Sequence, residues 1–205
     1  MKKSMCITYE VADGLYVNIT NRCSNRCEFC IRNNGDGAYG SDSLWLEREP
    51  TVSEILDSVF SRDLDKYSEI VFCGYGEPTY RLDDARAVAL AIKEKRPDMT
   101  VRINTNGHSD LINGRNTAPE YKDAFDTVSI SLNTPSSASY DKLCHPCFDN
   151  AHAALIDFAA RVKNYVPNVM LSVVRQTLTE EELYECQAIA DRSGIYLKIR
   201  EYISD

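Results

Sequence analysis

The chain has 205 residues, 43% of them hydrophobic, and a formal net charge of -8 from 23 basic and 31 acidic side chains. That length buries a substantial core in a single domain spanning residues 1–205, and the composition is ordinary for a soluble globular protein. The acidic balance and the lack of a long basic run exclude general attraction to nucleic-acid phosphates or anionic lipid, and no apolar stretch approaches the roughly 20 residues needed to span a bilayer.

Taken in order, short β-rich segments alternate with helical ones. Residues 15–20 read as a first strand, followed at once by a Cys-x-x-x-Cys-x-x-Cys run, Cys23, Cys27 and Cys30, with Phe29 before its last member. Residues 33–50 are Gly-rich, show no regular period and contain the only tryptophan, Trp45, which serves either a lid or an anchor to the core. A helix opens at Thr51 with Glu54 three residues on, the spacing of a capping box. Residues 69–73 form a second strand that runs into Gly74-Tyr75-Gly76-Glu77-Pro78, and residues 83–95 a helix stopped by Pro97.

Residues 101–105 are a third strand ending in Asn104-Thr105-Asn106-Gly107, and residues 127–132 a fourth ending in Ser131-Leu132-Asn133. Cys144-His145-Pro146-Cys147 precedes a helix over 151–166 that Pro167 ends. A fifth strand covers 169–174, a second capping box at Thr179 and Glu182 opens a helix that Gly194 stops, and Tyr196–Arg200 closes the series. Strands joined by helical crossovers form a parallel sheet, which periodicity alone leaves as either an open barrel or a doubly wound layer.

The cysteine run sets the chemistry. Three thiolates at this spacing hold three irons of a cubane and leave the fourth open to chelate a ligand. The chain starts without an apolar signal segment, which favours a reducing cytosolic setting over a disulfide framework, and structural zinc needs a fourth ligand that the run lacks. The strand-end polar groups gather where parallel α/β folds place their active sites.

At Cys23, Cys27 and Cys30 the chain resembles the radical S-adenosylmethionine (SAM) enzymes. Residues 15–80, with Phe29-Cys30-Ile31-Arg32-Asn33 and the Gly-Tyr-Gly-Glu-Pro stretch, look like the small TatD-associated members. The resemblance implies an open partial (β/α)6 TIM-like barrel of parallel strands, a 4Fe-4S cluster on the three cysteines, and SAM as second cofactor. It further implies that Gly74, Tyr75, Gly76 and Glu77 receive the methionyl amino group, and that Asn104, Thr105, Asn106, Ser131 and Asn133 contact the ribose and methionyl parts. The implied reaction is reductive cleavage of SAM to a 5'-deoxyadenosyl radical that abstracts hydrogen from a small-molecule substrate, in an oxygen-sensitive enzyme fed by a one-electron reductant such as flavodoxin or ferredoxin. A modifying enzyme acting on a protein and a non-enzymatic electron carrier are the alternatives, and the 7-carboxy-7-deazaguanine synthases offer an analogy of size and fold.

Other residues carry open readings. Cys144 and Cys147 join Cys73 or Cys186 in an auxiliary site, donate a hydrogen atom, or are reduced loop cysteines. Arg175 and Arg200 bind a carboxylate or phosphate, or form ion pairs. His108 and His152 receive no catalytic role.

Overall fold

The near-continuous apolar runs become central strands because both faces of the sheet are covered: Ile70, Val71 and Phe72, and likewise Val128 and Ile130, are fully buried. Seven strands pair in chain order: β1 (Thr8–Val11), β2 (Gly14–Val17), β3 (Glu69–Phe72), β4 (Thr100–Thr105), β5 (Thr127–Ser131), β6 (Asn168–Val174) and β7 (Tyr196–Arg200). The computed structural model describes residues 2–202. All pairs from β2 to β7 are parallel, and within the described residues β1 and β7 do not pair, so the sheet stays open.

The six expected parallel strands are present. The seventh, β1, is an addition: it pairs antiparallel with β2 in a tight hairpin. Its turn places Ala12 at φ 51°, a left-handed conformation usually left to Gly or Asn; the Asp13-Gly14 pair beside it is a hairpin signal that the strand periodicity of residues 15–20 did not include. The first strand also stops at Val17 rather than at residue 20, because the chain turns out of the sheet to carry the cysteine loop.

The crossovers contain α1 (Val52–Phe60), α2 (Leu82–Lys95), α3 (Ser109–Asn113), α4 (Ser137–Cys144), α5 (Ala151–Val162) and α6 (Glu180–Ser193). Both capping boxes form, Thr51 with Glu54 and Thr179 with Glu182, and Gly194 ends α6 at φ 60°. Helix α5 stops four residues short of the expected 166. The Asn164 amide caps the Arg161 carbonyl at 3.2 Å, and Pro167 keeps the preceding backbone out of the helix. Helix α4 had no capping box; Tyr140 and Cys144, at helical spacing, are its buried positions. A ring cluster in which Tyr121 lies 5.4 Å from Phe125 and 5.3 Å from Phe158 fills the helix–sheet interface. No described helix is long and apolar enough to cross a membrane.

Candidate active site

The cysteine loop leaves β2 and is tied down on both flanks. Asn18 donates its amide to the Leu44 carbonyl at 2.8 Å, and Asn21 exchanges two bonds with Leu46 at 2.8 and 3.0 Å. On the other flank the Arg26 and Glu28 N–H groups donate to the Cys144 and Leu143 carbonyls at 2.9 and 3.0 Å, satisfying two terminal carbonyls of α4. Arg32 lies inside the loop, its Nε 3.2 Å from Cys30 Sγ and its Nη2 donating to the Asn25 carbonyl at 3.1 Å.

Beneath the loop sits a fully buried imidazole, His108. Its Nδ1 lies 3.1 Å from Ser24 Oγ and its Nε2 3.3 Å from the Tyr140 hydroxyl, which accepts from Asn25 Nδ2 at 2.9 Å. His108 is therefore a neutral spacer that fixes both residues following Cys23. Burial lowers its pKa from 6.5 to about 4. A depressed folded pKa means that the stabilisation is complete above 6.5 and is lost as pH falls toward about 4. At roughly 1.4 kcal/mol per unit the loss amounts to about 3 kcal/mol. Urea unfolding of the metal-free chain across that window should show it, and His108→Gln should flatten the profile; parallel pH profiles for the two proteins would refute the assignment.

The strand-end groups form a buried bracket. Glu77 Oε1 accepts from the Thr79 N–H at 3.1 Å and from the Thr79 and Thr105 hydroxyls at 2.8 Å each, while Oε2 accepts from the Asn106 N–H at 2.7 Å. Burial raises its pKa against the pull of these donors. Asn106 in turn donates to Ser24 Oγ at 2.7 Å and accepts from the His108 N–H at 3.0 Å. Glu77, Thr105 and Asn106 thus join the ends of β3 and β4 to the cysteine loop.

Packing against the segment that follows β2 explains the two glycines. A Cβ on Gly74 would stand 2.1 Å from Asn18 Oδ1, and one on Gly76 2.2 Å from the Thr20 carbonyl oxygen. Tyr75 between them is buried, with its hydroxyl 2.9 and 3.0 Å from the Gly35 and Gly37 carbonyls and its ring edge-on to Trp45 at 5.1 Å. Trp45, flanked by the buried Leu44 and Leu46, anchors the 33–50 loop to a satellite core. Asn133 adopts φ 63° at the end of β5 and donates to Cys144 Sγ at 3.4 Å.

These groups open onto two adjoining cavities of about 200 and 470 Å³. Cys23, Glu77, Thr105, Asn106 and Asn133 line the smaller, here the inner cavity; Cys30, Gly74, Tyr75 and several tyrosines line the larger, the outer cavity; Cys27, Cys73, Asn104 and Ser131 line both. All three motif thiols thus face one continuous space. Burial first and the Glu77 charge second push the Cys23 pKa up to about 12, and a hydrogen bond with the Cys144 thiol, then burial, raises that of Cys27 strongly. Thiols held this way release their protons when a metal binds. Among the described residues no three His, Cys, Asp or Glu side chains converge as a site for a single ion.

Residues 17–187 match the radical SAM superfamily. The chain belongs to that superfamily. It is 27% identical over 194 residues to GTP 3',8-cyclase of Acidothermus cellulolyticus, covering 92% of this chain and 51% of that protein. It is 26% identical over 195 residues to molybdenum cofactor biosynthesis protein 1 of Bos taurus, covering 92% of this chain and 28% of that protein. The chain therefore spans about half of the first and little more than a quarter of the second. Its fold is similar to that of Streptococcus suis SuiB bound to S-adenosylmethionine, with TM-score 0.65 and 16% identity over 91% of this chain and 40% of that one. The superfamily consists of enzymes that use a 4Fe-4S cluster and SAM, and the open sheet with helical crossovers matches its partial TIM barrel.

The radical SAM cofactors suit the donors present. Three soft thiols lining one space suit a cluster in which each binds its own iron. The buried Oδ1 atoms of Asn25 and Asn133 on the inner cavity lack a hydrogen-bond partner, and suit a ligand rich in N–H and O–H donors. Among the others, Cys144 is buried beside Cys27, Cys147 is exposed, and Cys186 is on the buried face of α6.

Arg102, Lys198 and the tyrosines of the outer cavity escaped the motif reading. Period-two alternation was the available signal, since Arg102 and Asn104 share one face of β4, and Lys198 and Arg200 one face of β7.

Proposed function

We propose that Cys23, Cys27 and Cys30 hold a 4Fe-4S cluster and that SAM lies in the inner cavity. Its methionyl end reaches the backbone of the Gly74-Tyr75-Gly76 turn where the inner cavity joins the outer one that Gly74 and Tyr75 line, with Glu77, Asn104, Thr105, Asn106, Ser131 and Asn133 around it. The observation carrying this reading is that the three thiols and the strand-end polar groups line one continuous cavity containing unpartnered buried acceptors. When bound, the two cofactors supply a reductively generated 5'-deoxyadenosyl radical that takes hydrogen from a substrate. The protein's part is positional. Glu77 holds the β3 and β4 ends in register with the loop, Arg32 places a cation beside Cys30, and Tyr9 and Phe29 help wall the space from water.

The outer cavity, about 470 Å³, falls in the range of small-molecule pockets, roughly 300–1,000 Å³, so a small molecule is our preferred substrate. The similarity to a GTP cyclase makes purine nucleotides the first compounds to try. The electron we assign to a carrier such as flavodoxin or ferredoxin. Eight free cysteines fit a reducing cytosolic setting, and the motifs over 15–80 support the TatD-associated subtype.

Anaerobic reconstitution, reduction with dithionite and chromatographic measurement of 5'-deoxyadenosine test the proposal. Cluster-dependent 5'-deoxyadenosine is expected; an intact cluster with no SAM binding or cleavage would leave an electron carrier.

A further inference from the structure

Three cations border the cavities, and they differ in what they touch. Arg102 is fully engaged: its Nε and Nη2 donate to the two Glu69 oxygens at 2.9 and 2.5 Å, its Nη1 to Asn104 at 3.1 Å, and Nη2 also lies 3.3 Å from the Tyr16 hydroxyl. Arg200 makes no hydrogen bond or ion pair within the described residues, and its Nε is buried without a partner. Lys198, two residues earlier, faces the same space and is equally without a counter-charge there. The sequence set Arg175 beside Arg200 as an equal candidate, but Arg175 pairs with Glu180 outside the cavities.

A guanidinium cannot escape by losing its proton, and half-buried Arg200 keeps its Nε enclosed and unpaired unless something brings the missing acceptor. Burial opposes its charged form here, and the acids nearby do not relieve it. Glu77 already accepts four hydrogen bonds, and Glu201 at the outer rim is exposed and held by Gln176. Strand register gives the pair a direction. Both residues line both cavities; by register Lys198 lies beside Ser172 of the inner cavity and Arg200 beside Val174 of the outer one, so Arg200 stands toward the outer end of β7. Tyr16 and Tyr39 supply flat apolar surface in the same cavity.

We infer that the outer cavity takes an organic oxyanion, a carboxylate or a phosphate, with its charged end on Arg200 and Lys198 and its body against the tyrosines. The guanidinium fork matches either group in two-point contact. The inference rests on the reading of this cavity as the substrate site.

The test uses the reconstituted full-length chain with SAM present, and isothermal titration with benzoate, phenyl phosphate and the neutral benzamide. At least one anion should bind, and benzamide should bind at least about tenfold more weakly, the factor expected for one charge-assisted hydrogen bond. Arg200→Gln should weaken the anion by at least about tenfold and the exposed Lys198→Gln by a smaller factor, with SAM affinity falling by less than anion affinity in both. The tighter of the two anions identifies the group. Equal binding of benzamide, unchanged anion affinity in Arg200→Gln, or a loss of SAM affinity instead would overturn the inference. Should Arg200→Gln not fold, an unchanged anion affinity in Lys198→Gln would do the same. A wild-type protein that cleaves SAM but binds neither anion sinks this inference alone; one that binds no SAM sinks the reading beneath it.

Discussion

Replacing Cys27 by Ala is expected to reduce iron and sulfide, measured after anaerobic reconstitution, to a small fraction of the wild-type content. Cys27 is the central member of the trio and lines both cavities, so its loss removes the thiol between the other two. The fold should survive. A Cys→Ala change at the partly buried core margin removes one sulfur, worth about 1 kcal/mol, and the urea unfolding free energy of the metal-free chain should fall only by that amount. Stability and iron content therefore report separately. Cys144 is a useful control because its thiol is buried beside Cys27 and accepts from Asn133 at 3.4 Å. Cys144→Ala should keep its iron, and full iron in Cys27→Ala would remove Cys27 from the ligand set.

The parts of this arrangement that local chemistry dictates were legible in the sequence. The capping boxes at Thr51 and Thr179, the left-handed stop at Gly194 and the buried strands each depend on neighbours a few residues away. The cysteine spacing and the strand-end motifs were visible for the same reason. What escaped depends on distant partners. The His108 imidazole bonds Ser24 across 84 positions and Tyr140 across 32. The need for glycine at 74 and 76 arises from Asn18 and Thr20. Arg175 and Arg200 looked alike at strand ends, and only packing shows one paired and the other bare.

Glu77 decides whether that distant geometry matters. Its carboxylate accepts four hydrogen bonds in a fully enclosed setting, two from backbone N–H groups and two from hydroxyls. Truncation to Ala strands the Thr79 and Asn106 N–H groups in the interior, where each unsatisfied donor costs roughly 1–3 kcal/mol. A loss of about 4 kcal/mol in urea unfolding of the metal-free chain is therefore expected for Glu77→Ala. Glu77→Gln keeps the shape and the acceptor toward the threonines, but turns an amide NH2 against the Asn106 N–H, so about 2 kcal/mol is expected. Both variants should also weaken SAM binding, because Glu77 lines the inner cavity in which we place SAM. If Glu77 only contacted SAM, the metal-free chain would be as stable with Ala as with Glu. If Glu77 only braced the fold, SAM affinity would be regained wherever Glu77→Gln is fully folded. Loss of both quantities in Glu77→Gln, with the cluster still loaded, is the outcome that assigns this carboxylate to the bracket and to the cofactor together.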